Sequence, residues 1–213
     1  MSPRPWTLNY TPSAWEDPLD DVVKRLMPDY NAGVPRQDLE ALRARFAPAV
    51  PRHVVVVGTN GKSSVATYVA RLLVAAGRRT GLYTSPHLRS WTERIQLDLE
   101  PVDADAFAAA LLRRHEQARG VPDARFFDVL TFAAEDLFAG AEFGVFEAGI
   151  GGRLDATRVL EPELVVLTSI GEDHEALLGA APAERLREKA LATPPGALLV
   201  APPLGVELDA VLD

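Results

Sequence analysis

At 213 residues the chain is long enough to bury one good hydrophobic core, and its 47% hydrophobic and 24% charged residues match a soluble globular protein. With 30 acidic against 22 basic residues the formal net charge is −8, which argues against broad binding to nucleic acid or to an anionic membrane. The absence of cysteine excludes disulfides and thiolate metal sites, so a metal here would take oxygen ligands or one of four histidines.

Residues 1–51 read as a helical preface punctuated by proline, with apolar residues at helical intervals over 20–27 and 37–46. Met1 to Trp6 does not lead into a signal-peptide core, and no apolar run approaches the roughly 18 residues of a membrane helix. The chain is therefore expected to be cytoplasmic. From residue 52 onward short apolar runs alternate with amphipathic stretches, the pattern of an α/β domain with a mostly parallel sheet flanked by helices. Strands are predicted over 53–57, 80–84, 144–147, 164–168 and 197–201. Helices are predicted over 103–119, opened by Asp103 and closed near Gly120, over 128–138 and over 183–190. The span 52–213 reads as one domain.

The first of these strands carries the strongest signal. Val54, Val55, Val56 and Val57 suit a strand buried on both faces of a parallel sheet, and Gly58, Thr59, Asn60, Gly61, Lys62, Ser63 and Ser64 follow at once. Val65, Val69, Leu72, Leu73 and Ala76 then recur at helical spacing, with Gly77 placed to end the helix. The pattern G-x-x-x-x-G-K-[ST] is incomplete, because Val56 stands where its first glycine would be. Even so, strand, glycine turn, lysine, hydroxyl and helix in that order point to phosphate. The N–H groups at a helix start favour an anion, the glycines let the backbone approach it, and Lys62 adds a point charge.

In open parallel sheets ligands bind beyond the carboxyl ends of the strands. Those ends supply Ser85, Pro86 and His87 after the second strand, Glu147 with Gly149, Gly151, Gly152 and Asp155 after the third, and Ser169 to His174 after the fourth. Together they offer hydroxyls, a carboxylate, an imidazole and glycines to one edge, a pocket suited to phosphates and a divalent cation. A carboxylate such as Glu147 at the end of an apolar run demands a partner. A dinucleotide fingerprint is rejected, because Leu154 occupies the last glycine position of G-x-G-x-x-G. His174 fits either a helix start or a metal or phosphate contact. Lys189, within a charged helical stretch, reads from spacing alone as part of a solvated face.

Taken together, the segments 58–64, 81–88, 93–95, 126–131, 147–157 and 168–174 resemble the folylpolyglutamate synthase/dihydrofolate synthase family, among the Mur-ligase-like ATP-dependent amide ligases. The resemblance runs from His53 to about Gly196. It implies a P-loop-like ATPase domain in which Lys62 and the residues around it hold ATP, while Ser85, Glu147 and His174 serve Mg²⁺; the Ser63 hydroxyl, where the family has glycine, is expected either to crowd the phosphate loop or to act as an alternative Mg²⁺ ligand as in the Mur relatives. It also implies that Lys189 is carbamylated and metal-facing, reversing the reading from spacing. Thr92, Glu93 and Arg94 resemble the loop near the pteridine-bearing substrate, with Asp128 and Asp155 also assigned to substrate. The implied reaction activates a dihydropteroate or folylglutamate carboxylate as an acyl phosphate and adds glutamate. The alternative is a non-catalytic nucleotide- or folate-binding unit that works through a partner. Departures from the family pattern are Ser63 for a glycine, Asp128 for a glutamate, and Thr92 and Arg158 for asparagines. The resemblance further implies a C-terminal domain that helps bind glutamate. It is expected to be absent here, leaving it to be supplied in trans.

Overall fold

The computed structural model describes residues 17–26, 39–121, 124–172 and 174–212. In chain order the helices and strands are α1 (Pro18–Leu26), α2 (Glu40–Arg45), β1 (Arg52–Val57), α3 (Lys62–Ala75), β2 (Thr80–Tyr83), β3 (Ile95–Leu97), β4 (Glu100–Pro101), α4 (Ala104–Ala118), α5 (Phe126–Leu137), β5 (Phe143–Glu147), β6 (Leu164–Leu167), α6 (Glu175–Leu178), α7 (Pro182–Ala190), β7 (Leu198–Val200) and α8 (Val206–Asp209). The helices and strands predicted from the sequence are present, with ends shifted by one or two residues except at α2, which begins at Glu40, three residues after its predicted start. Met27 and Gln37, at the ends of the two preface predictions, lie outside the described residues.

The seven strands form one sheet in the order β4-β3-β2-β5-β1-β6-β7. From β2 through β7 the pairings are parallel, and β1 lies between β5 and β6 with Val56 opposite Glu147 on one side and Val166 on the other. The valine run behaves as its composition demands. Side chains alternate across a strand, so Val55 and Val57 enter the large core with Phe107 of α4, Phe132 of α5 and Phe146. Val54 and Val56 enter a smaller core beneath α3, with Ala66 and Ala70. Both faces are covered, which is why β1 has no polar side chain among its last four residues.

The sequence reading did not separate β3 and β4, which add to the sheet antiparallel to β2. Their two-residue turn is Asp98-Leu99, with φ of 52° and 72°. Such a turn normally announces itself with Asn-Gly or Asp-Gly, and a leucine in the left-handed region gives no such signal. Asp98 is held in place by accepting the Thr80 N–H at 2.8 Å.

The described parts of the preface share the main core: Leu19 and Val23 of α1, Leu42 of α2, and Phe46 and Val50 all belong to it. One buried polar knot ties them down. Glu135 on α5 is fully buried, pairs with His53 at 2.7 Å and accepts the N–H groups of Ala49 and Val50 at 2.7 and 3.0 Å. Glu135→Ala would leave an imidazole and two backbone donors buried without their acceptor. The expected loss is about 3 kcal/mol, read as a lower urea midpoint with an unchanged slope.

Candidate functional site

The phosphate loop leaves β1 at Gly58 and enters α3 at Lys62, with Gly61 as the left-handed residue that starts the helix (φ 81°). Gly58 has φ 145°, and a Cβ there would run into the Thr168 side chain, so glycine is required on both counts. The segment after β6 holds the loop in shape. Thr59 N–H donates to the Ser169 carbonyl at 2.9 Å, and Asn60 N–H to the Ser169 hydroxyl at 3.0 Å. Thr168 and Ser169 hydroxyls both donate to the Asn60 carbonyl, and Gly171 N–H donates to the Thr59 hydroxyl. Lys62 is half-buried, with Nζ donating to the Thr59 carbonyl at 3.2 Å.

Beside this loop the ends of β2 and β5 meet. Glu147 is buried, and its carboxylate accepts the Ser85 N–H at 2.9 Å. The Ser63 hydroxyl lies within 3.5 Å of the Ser85 carbonyl. Burial pushes the Glu147 carboxyl above the usual glutamate range, and this is opposed by the Ser85 N–H, the Ser63 hydroxyl and the positive charges of Lys62 and Arg94. Ser63, Ser85, Glu147 and Lys62 therefore converge on one spot. Hydroxyl and carboxylate oxygens beside a lysine suit a hard divalent cation accompanied by phosphates. Among the described residues no three His, Cys, Asp or Glu side chains gather as a metal cluster. Oxygen ligands here would come from serines as much as from carboxylates.

Lys189 corrects the reading from spacing. It is 2% exposed, and its ammonium donates to the Gly58 carbonyl at 3.1 Å, beneath the phosphate loop. Helix α7 reaches this position because Gly152 lets it approach: a Cβ there would lie 2.6 Å from the Lys189 carbonyl oxygen. His174 stands at the start of α6 with left-handed backbone (φ 50°) and an exposed side chain, on the segment that follows β6. Asp173 before it lies outside the described residues.

The residues assigned to substrate have clear local duties. Asp155 is buried and accepts the Gly149, Ile150 and Thr157 N–H groups and the Thr157 hydroxyl, so it shapes the glycine loop from within. Asp128 accepts the Arg125 N–H at 2.8 Å, at the start of α5. Glu93 accepts the N–H groups of Leu88, Arg89 and Ser90, and these bonds hold its carboxyl below the ordinary glutamate range. Thr92 pairs with the Ser90 hydroxyl at 2.9 Å. Arg94 donates to His87 Nδ1 at 2.8 Å and lies 4.5 Å from the Trp91 ring centre. Sequence reasoning missed the acids that grip this loop from α1, Asp17 and Asp20. They lie more than 70 positions away in the chain, and no local pattern could have linked them to Trp91.

A mostly parallel sheet whose strand ends carry a phosphate loop and a hydroxyl-carboxylate cluster, with a buried lysine from α7 beneath the loop, defines a Mur-ligase-like ATPase fold. The solved structure of E. coli FolC in complex with DHPP and ADP superposes with a TM-score of 0.77 at 31% identity, covering 92% of this chain and 49% of that one. The Yersinia pestis bifunctional folylpolyglutamate synthase/dihydrofolate synthase complexed with AMPPNP and Mn ion gives 0.77 at 30% identity, covering 92% and 49%. In sequence, the Escherichia coli K12 dihydrofolate synthase/folylpolyglutamate synthase is 37% identical over 180 residues, 84% of this chain and 42% of that protein. The Mycobacterium tuberculosis H37Rv protein of the same description is 42% identical over 149 residues, 63% and 31%. No family model matches. The chain belongs to the folylpolyglutamate synthase/dihydrofolate synthase family and spans half or less of the length of these relatives.

Proposed function

We propose that this chain is the ATP-binding unit of an ATP-dependent amide ligase that activates a dihydropteroate or folylglutamate carboxylate for glutamate addition. The convergence of Lys62, Ser63, Ser85 and Glu147 on one edge of the sheet carries the reading. It is supported by relatives solved with ADP and DHPP, and with Mn, AMPPNP and L-glutamate. Residues 52–213 form the ATP-binding unit and 1–51 its preface. In this reading the protein is cytoplasmic; among the described residues no helix is long and apolar enough to cross a membrane.

A carboxylate is a poor acyl donor. Transfer of the γ-phosphoryl group to a substrate carboxylate oxygen breaks its bond to the β-phosphate oxygen and leaves ADP. The glutamate amine then attacks the acyl carbon, loses a proton and expels inorganic phosphate as the amide forms. Mg²⁺, when bound, would neutralise phosphate charge and orient the transferred group. Ser63, Ser85, Glu147 and His174 are the residues proposed to hold it. Gly58 to Ser64 would cradle the phosphates with backbone N–H groups, and Lys62 would follow the charge on the transferring oxygens. Carbamylation of Lys189 would replace its ammonium by an anion under the phosphate loop. Thr92, Glu93, Arg94, Asp128 and Asp155 are proposed to shape the side that receives the pteridine-bearing acid.

The test is ADP release by the purified chain with Mg-ATP, dihydropteroate and glutamate, alone and with a family C-terminal domain added in trans. Release that requires both the pteroate and glutamate supports the ligase. Nucleotide binding with no substrate-stimulated release in either arrangement would instead establish a binding unit.

A further inference from the structure

The loop between β2 and β3 is clamped from a distant part of the chain. Its short 3-10 turn, Trp91–Arg94, opens with Trp91, which is 3% exposed. The Trp91 backbone N–H donates to Asp17 at 2.6 Å, and its indole N–H donates to Asp20 at 2.7 Å. Both acceptors sit at the start of α1, a helix anchored in the main core through Leu19 and Val23. Around the indole lie His87 at 4.4 Å between ring centres, the Arg94 guanidinium at 4.5 Å and Phe126, nearly perpendicular to it, at 5.4 Å. Trp91 is packed among residues of its own chain and hydrogen-bonded at both of its N–H groups. It is the peg on which the loop hangs, and two carboxylates hold the peg.

We propose that Asp20, with Asp17, is a positioning residue for the acyl-substrate side of the site: by fixing Trp91 from α1 it sets the loop carrying His87, Thr92, Glu93 and Arg94. This rests on the reading that this loop faces the pteridine-bearing acid. Charge-assisted bonds to a carboxylate are short and directional, so two of them on one residue fix both its backbone and its ring. Glu93 then gathers the Leu88, Arg89 and Ser90 N–H groups, and Arg94 orients His87. The clamp reaches the loop without touching the phosphate loop, so its effect should divide between the two ligands. Asp17 also accepts the Leu19 N–H at the start of α1, which makes Asp20 the cleaner probe.

The experiment compares Asp20→Ala, Asp20→Asn and Trp91→Phe with the unaltered chain, by calorimetry with pteroic acid and separately with Mg-ATP, and by hydrogen exchange without ligand. Asp20→Ala and Trp91→Phe should speed exchange of the Leu88, Arg89 and Ser90 amides and weaken pteroic acid by about tenfold. Mg-ATP affinity should stay within about twofold. Asp20→Asn keeps an acceptor and should recover most of the loss. Unchanged loop exchange in Asp20→Ala overturns the proposal, as does a parallel loss of both ligands with a lowered Tm. Faster loop exchange in a chain that binds no pteroic acid even unaltered would uphold the clamp and overturn the substrate reading alone.

Discussion

Lys62→Ala should weaken Mg-ATP binding by about a hundredfold, equivalent to ~2.7 kcal/mol, while leaving the melting temperature nearly unchanged. The asymmetry follows from what the ammonium touches. In the structure its partner is the Thr59 carbonyl three residues earlier, at 3.2 Å, and the side chain is only half-buried. Truncation therefore leaves no deeply buried group unpaired, and the loop keeps its bonds to Ser169 and Gly171. With ATP bound, the same ammonium would exchange one neutral carbonyl for phosphate oxygens bearing full charge, so that both donor and acceptor are ionised. Titration calorimetry of the variant checks the affinity and a thermal scan checks the fold. Unchanged nucleotide affinity would remove Lys62 from the site. Lys62→Arg tests the shape of the charge, since a planar guanidinium cannot replace a compact ammonium in a loop closed this tightly.

What the sequence made legible follows from how local each signal is. The valine run, the glycine turn and the helix after it are contiguous, and each piece constrains the next, so β1, the phosphate loop and α3 could be read directly. Strand ends could be placed because apolar runs stop where polar residues begin, which put Ser85 and Glu147 on one edge before any contact was known. Lys189 shows where that method ends. Its neighbours Arg185, Arg187 and Glu188 are charged, and spacing assigned it to solvent, yet α7 turns it inward to the Gly58 carbonyl. What permits the approach is Gly152, 37 positions earlier, whose importance comes from the helix it must admit. The Glu135–His53 knot and the Asp17 and Asp20 clamp are likewise pairings across 71 or more positions. The β3–β4 turn failed for a different reason: its left-handed residues are aspartate and leucine, so the glycine that usually betrays such a turn is missing. For Lys189 the family resemblance implied a place facing the site where spacing alone pointed to solvent, and the side chain is buried against the Gly58 carbonyl.

Glu147→Gln should separate stability from function in opposite directions. The carboxyl is buried, which raises its pKa in the folded chain above the ordinary glutamate value. Between those two values the folded state binds more protons than the unfolded state, so stability falls as pH rises through that window. The contribution is complete below the unfolded value and gone above the folded one. Above that window the folded chain holds an anion in a place that disfavours it, with the Ser85 N–H, the Ser63 hydroxyl and the charges of Lys62 and Arg94 offsetting its burial. Glutamine keeps an oxygen to accept the Ser85 N–H and removes the charge. Above that window the ligand-free variant should melt about 2–4 °C higher than the unaltered chain, the shift that ~1 kcal/mol gives a chain of this size, and it should lose the pH slope within the window. A hard cation loses in the same step the one charged oxygen ligand in the convergent cluster, so the Mg²⁺ dependence of ATP binding should weaken by about tenfold or more. The two measurements are thermal melts across pH and ATP titrations at stepped Mg²⁺ concentration. A variant that melts lower at every pH and keeps its Mg²⁺ dependence would make Glu147 a structural acceptor for Ser85 only. The expected pairing of gain and loss is what distinguishes a buried charge kept for a cation from one kept for the fold.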